Sequence, residues 1–125
     1  METSHPNADP SAMDPSALDR LKRFGGIKLL SEMIALFLAA APERIDAART
    51  ASAAGDTENA ERALHSLKSS AAQLGAMRLQ RLSEQGELLA RAGTLDGLGQ
   101  LSDDLEQELA RVREWLTTAR DEGGS

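Results

Sequence analysis

The stretch "AERALHSLKSSAAQLG", Ala60 to Gly75, decides how the chain is built. On an ideal helix each residue advances by about 100°, and Ala60, Ala63, Leu64, Leu67, Ala71 and Leu74 then fall within about 60° of one direction. These six residues form an apolar face suited to burial. Gly75 follows at once, a good position for the left-handed residue that closes many helices. Asp56, just ahead of the stretch, can cap its start. One buried face requires other elements to cover it, and the neighbouring segments supply them.

Upstream, Ile27, Leu30, Ile34, Phe37, Leu38, Ala41, Ile45 and Ala48 repeat at helical spacing over about residues 27–52. Pro42 lies inside this run, where it either kinks the helix or begins a new first turn. Downstream, a helix over about residues 77–92 carries Leu79, Leu82 and Leu89, with Gly86 on the same side, and stops at Gly93. A glycine within a helix costs about 1 kcal/mol relative to alanine, so Gly86 hints at a close helix–helix approach. After Gly97, Leu98, Leu101, Leu105, Leu109, Val112 and Leu116 form a strong stripe bordered by Trp115. Ahead of all these, "PSALDRLKRF" reads as a short helix starting near Ser11 or Asp14 and ended by Gly25–Gly26. The expected architecture is all-α: an antiparallel up-down four-helix bundle with an additional short N-terminal helix. It should span residues 15–120, between a disordered tail (1–14) and a frayed C-terminus (121–125).

Composition agrees and excludes several functions. Alanine and leucine dominate and aromatics make up 2% of the chain, a balance that favours helices over strands. The absence of cysteine removes disulfides, thiolate nucleophiles and zinc–thiolate sites. No secretory signal is visible, and the longest apolar run, "MIALFLAAA", covers roughly half of the about 20 residues a membrane helix needs. A soluble, cytoplasmic protein is expected. The net charge of −6 argues against nucleic acid as the main partner. That charge is uneven: residues 61–91 hold five bases and three acids, while both flanking regions are acidic. The one basic segment contains His65.

On the same helical wheel His65 points to about 140°, away from the apolar face, with Lys68 at about 80°, Ala72 at about 120° and Ser69 at about 180°. An exposed imidazole therefore stands beside a cation and among small residues. Unperturbed, it is neutral at pH 7 and has a free nitrogen lone pair. It can attack phosphorus without a base to deprotonate it, and without a carboxylate orienter it is sufficient as a phosphoryl acceptor, though poor as a triad member. Phosphoryl transfer depends chiefly on positioning and positive charge, which Lys68 at i+3 could supply.

"HSLKSSAAQLGA" (65–76) resembles the core motif of histidine-containing phosphotransfer (HPt) domains, roughly H-x-L-K-G/S-S-x-x-x-L-G-A/L. The resemblance extends over about residues 17–118 and includes "FLAAAPERIDAARTASAAGD" (37–56), similar to the family's phenylalanine–proline helix and following Gly-Asp pair. The family implies a helical bundle that accepts a phosphoryl group from one receiver-domain aspartate, or an upstream hybrid kinase, and passes it to another receiver. His65 would be the phosphoacceptor, Lys68 its charge partner, and Ser69 and Ala72 its small surroundings. Gln73 is a further polar neighbour, near 220° on the wheel. Glu84, Glu87 and Arg91 on the following helix occupy positions where similar proteins carry polar residues. Arg91 ranks above the two glutamates, because a cation favours a phosphorylated histidine. The family commonly has glycine where this chain has Ser69.

Leu29, Met33, Leu36 and Ala40 form a second apolar line on the long helix. Either it offers a receiver the apolar docking patch the resemblance implies, or it packs beneath the short N-terminal helix around Leu18 and Leu21. No cofactor is expected, the Mg²⁺ belonging to the partner receiver domain. The chain is expected to be a monomeric phosphoryl carrier rather than an enzyme with its own substrate. Receiver domains and a sensor or hybrid histidine kinase are the expected partners, and neither membrane nor nucleic acid is. The alternative is a helical adaptor that binds a receiver or kinase without carrying phosphate.

Overall fold

The computed structural model describes residues 12–123, and these fold into four helices: α1 (Pro15–Ala53), α2 (Thr57–Gln73), α3 (Met77–Arg91) and α4 (Leu98–Gly123). Each helix packs against its neighbour in the chain, and α4 closes the ring against α1. With connections this short, that neighbour pattern is the one an up-down bundle produces. The expected stripes are buried almost residue for residue. Leu30, Ile34, Phe37, Ala41, Ile45 and Ala48 come from α1, the whole face from Ala60 to Leu74 from the α2 region, and all six α4 positions from Leu98 to Leu116. Ile27 and Leu38 sit at the margin, partly buried.

α1 contains both of the helices expected upstream. Gly26 leaves helical geometry at φ 76° and ψ −175°, which separates the short N-terminal helix from the long one at the predicted glycine pair. Pro42 does not start a new helix; α1 continues through it to Ala53. By length and apolarity α1 could cross a membrane, a test that the core helix of a soluble bundle also passes. Its inward positions are committed to the core of this bundle.

Two boundaries differ from expectation. Of the expected tail 1–14, residues 1–11 lie outside the described residues, whereas Ala12–Asp14 form an ordered strap. Ala12 is buried, Met13 forms an isolated bridge with Ala76, and the Asp14 N–H donates to the Gly75 carbonyl at 2.8 Å. The Met77 N–H donates to the Ala12 carbonyl at 2.9 Å. The strap adds partners at the α2–α3 turn, where the Met77 N–H also donates to the Gly75 carbonyl at 3.0 Å, and its Ala12 carbonyl accepts from the Arg78 N–H at 3.2 Å as well. Asp14 caps α1 by accepting from the Ser16 N–H, and Ser11, the other candidate, lies outside the described residues. At the other end α4 continues beyond residue 120, to Gly123.

The same turn explains Gly75. Its φ is +77°, and a Cβ there would collide with the Asp14 carbonyl oxygen. Gly75→Ala is expected to cost at least about 1 kcal/mol, because a left-handed residue would be strained and the strap displaced. A denaturant midpoint unchanged from wild type would refute that account.

α3 is rolled relative to its predicted stripe. Leu79 is buried as expected, but Leu82 and Leu89 are only partly buried, and Ser83, Gly86, Glu87 and Ala90 take the inner face. Gly86 is the cause. A Cβ at this position would lie 2.8 Å from side-chain carbons of both Leu64 and Leu101. α3 therefore presses its small residues against its neighbours, and the leucines swing outward. Glu108, in the α4 stripe, is also buried, its Oε1 held by Arg111 at 3.1 Å and Arg78 at 3.4 Å.

Candidate functional site

Burial of Leu64 and Leu67 fixes the rotation of α2 and turns His65 outward; its side chain is 60% exposed. Ser69 is exposed and Ala72 half-buried, so nothing bulky shields the ring on that side. The imidazole lies at the edge of an open depression of about 380 Å³ lined by Glu58, Glu61, Arg62, His65, Glu87 and Arg91.

The close approach at Gly86 brings the next residue, Glu87, beneath the histidine. Glu87 Oε2 is 2.8 Å from His65 Nδ1. An ionised carboxylate can only accept hydrogen bonds, so Nδ1 carries the hydrogen and donates. The neutral ring then has its lone pair on Nε2, on the side away from Glu87. Lys68 Nζ donates to the other carboxylate oxygen at 2.7 Å, and Arg91 Nη2 donates to Oε2 at 3.0 Å. Arg91 Nε meanwhile donates to Glu61 Oε2 at 2.8 Å. One carboxylate, 3% exposed, thus gathers the histidine and both cations named from the sequence.

Burial raises the Glu87 pKa, but hydrogen bonds from Lys68 and His65, backed by their charges, outweigh it and hold the carboxyl below its ordinary 4.5. As pH falls, the unfolded chain takes up this proton before the folded one. The stability contributed by Glu87 is therefore complete above about pH 4.5 and lost as pH drops through the lower folded value. Thermal melts of wild type and Glu87→Gln between pH 7 and 3 should converge at the acid end. Parallel curves would show that Glu87 is not ionised in the fold.

The three polar residues named on α3 take different places. Glu87 makes the central contact, Arg91 joins through it, and Glu84 is exposed. His65 does possess a carboxylate orienter, contrary to the sequence reading. A signal for it was present: Leu79, Ser83, Gly86 and Ala90 recur at helical spacing on one face, and position 87 falls among them. Gln73 is not among the residues around His65. It lines a separate depression of about 550 Å³ with Ala17, Arg20, Leu21, Arg23 and Phe24. The expected docking line is divided: Leu29 and Met33 are half-buried, Met33 against the core, while Leu36 is 65% exposed.

Among the described residues no group of three or more His, Cys, Asp or Glu side chains is arranged to hold a metal ion. The geometry is that of an outward nucleophilic nitrogen with a fixed tautomer and two cations near it.

Comparison with known proteins gives this geometry a family. The fold is similar to that of histidine-containing phosphotransfer protein B (HptB) from Pseudomonas aeruginosa PAO1. The TM-score is 0.84 at 24% identity, covering 91% of this chain and 98% of that one. It is also similar to the HPT domain of the Hpt sensor hybrid histidine kinase from Shewanella, with a TM-score of 0.72 at 20% identity over 91% and 97% of the two chains. No curated protein matches the chain. The model of the Hpt domain matches residues 32–115, which span α2, α3 and most of α1 and α4. The chain belongs to the Hpt domain family, the phosphoryl carriers of phosphorelays.

Proposed function

We propose that His65 is the phosphoacceptor and that the residues around Glu87 hold it ready. The Nε2 lone pair attacks the phosphorus of a receiver aspartyl phosphate, the P–O bond to the aspartate breaks, and the carboxylate departs with the electron pair. In the onward step a second receiver's carboxylate attacks the same phosphorus, and the Nε2–P electron pair returns to nitrogen. The Nδ1 proton stays directed at Glu87 throughout, so neither step needs a base on this chain. Hpt domains interact with kinases and receiver domains of two-component systems. The partner here would be a receiver that brings its own acidic pocket and Mg²⁺, with this chain acting as a monomeric cytoplasmic carrier.

The observation that carries this reading is the Nδ1–Glu87 hydrogen bond on an exposed ring, which leaves Nε2 as the free nucleophile. Lys68 can turn from Glu87 toward phosphoryl oxygens, and Ser69 and Ala72 leave room for a receiver to close in. Incubation with a phosphorylated receiver should give this chain a label that is lost in acid and stable in base. Binding without label would favour the adaptor. Glu87→Gln should slow labelling about 10–100-fold, the size of loss that follows when a carboxylate orienting a metal-binding imidazole is removed. The substituted amide could present either its oxygen or its N–H to the ring, so the tautomer would no longer be fixed. An unchanged rate would remove Glu87 from the mechanism.

A further inference from the structure

The Arg91 guanidinium is divided between two carboxylates. Its Nη2 bonds Glu87 Oε2, the same oxygen that receives His65 Nδ1, so guanidinium and imidazole are neighbours. Its Nε is bonded to Glu61, one helical turn before His65 on α2. Glu61 is the stronger influence on this side chain. Its hydrogen bond, followed by its charge, raises the Arg91 pKa, with a smaller contribution from Glu87. Glu61 and Arg91 both line the depression that borders the imidazole.

We infer that Glu61 is a positioning residue that pulls Arg91 away from the phosphoryl site and thereby limits the lifetime of phosphorylated His65. This rests on His65 being the phosphoacceptor. Transfer passes through a loose, metaphosphate-like transition state in which the non-bridging oxygens carry less charge than in the bound phosphoryl group. A cation on those oxygens stabilises the phosphohistidine more than the transition state, so it slows departure. A carrier must release its cargo, and a carboxylate that competes for Arg91 keeps the group transferable. Arg91 can exchange partners at little cost, because its side chain is 56% exposed and ion pairs at such sites are weak. Lys68 neutralises charge from the other end of the Glu87 carboxylate and is not controlled by Glu61.

The test uses phosphoramidate as a small donor for the full chain. Nε2 attacks phosphorus, the P–N bond breaks and ammonia leaves, so labelling requires no receiver. The label is then lost by hydrolysis, in which water attacks phosphorus and the electron pair returns to Nε2. Glu61→Gln is expected to lengthen the half-life of phosphorylated His65 about threefold to fivefold, the range an exposed ion pair can exert. Transfer to a receiver should slow by a similar factor. In an Arg91→Gln background the same substitution should have no effect, an outcome that a purely structural role for Glu61 would not produce. A half-life unchanged or shortened by Glu61→Gln, or a lengthening that persists without Arg91, overturns the proposal while His65 still takes label. A wild-type chain that takes no label at all overturns the phosphoacceptor assignment as well.

Discussion

Replacing His65 with glutamine will leave a folded protein that takes up no acid-labile phosphoryl group. The loss should be complete, because an amide nitrogen has its lone pair delocalised into the carbonyl and cannot replace Nε2 as nucleophile. The chain's other histidine, His5, lies outside the described residues, and His5→Gln should label normally. Stability should shift by no more than about 0.5 kcal/mol, as for most surface changes. The structure explains why the cost is small. His65 is largely exposed, Lys68 and Arg91 still satisfy Glu87, and a glutamine amide can donate to the carboxylate in place of Nδ1. Label measured by filter binding after acid and base treatment, together with a thermal melt, decides the matter. Label retained by His65→Gln removes this residue from the relay. Loss of label accompanied by a large fall in melting temperature would mean that the ring supports the fold.

How far the site could be read from the sequence depended on whether a feature was carried by one helix or two. The outward direction of His65 follows from Leu64, Leu67 and Ala71 alone, since a single helical wheel fixes the relation, and Lys68 follows from the same wheel. Burial of the α4 stripe was legible for the same reason. Glu87 was not, because its role comes from the approach of α3 to α2, which depends on the absent side chain at Gly86. Three leucines on α3 outweighed the small residues in a reading based on hydrophobicity. In the folded chain close packing of Ser83, Gly86 and Ala90 prevailed and carried a carboxylate inward with them. That burial is tolerated because the carboxylate has three donors. The strap at Ala12–Asp14 was hidden differently. Its three residues are too few to show a period and lie in a polar, proline-containing segment, and its order comes from backbone hydrogen bonds to the Gly75 turn together with the burial of Ala12 and the packing of Met13 against the core.

Leu67→Ala should destabilise the fold more than any of the other substitutions, by about 2–5 kcal/mol, the cost of losing buried carbons and leaving part of the space unfilled. Leu67 is fully buried and lies between His65 and Lys68 in sequence, so it tests directly whether the face opposite the reactive one anchors α2. For a domain of this length the loss corresponds to a fall in melting temperature of about 8–20 °C. Trp115, partly buried against the core from α4, provides a fluorescence signal for chemical unfolding on a different helix from the substitution. The denaturant midpoint should drop with little change in slope, as expected when cooperativity is kept and only stability changes. Below its new melting point the variant should still accept label on His65, because Leu67 touches the core and not the imidazole's open side. A cost within about 0.5 kcal/mol would mean that α2 is rotated from the position described, since only an exposed leucine is so cheaply truncated. With α2 rotated in that way the ring of His65 would turn toward the bundle, and the lone pair on Nε2 would no longer be open to an incoming phosphoryl group.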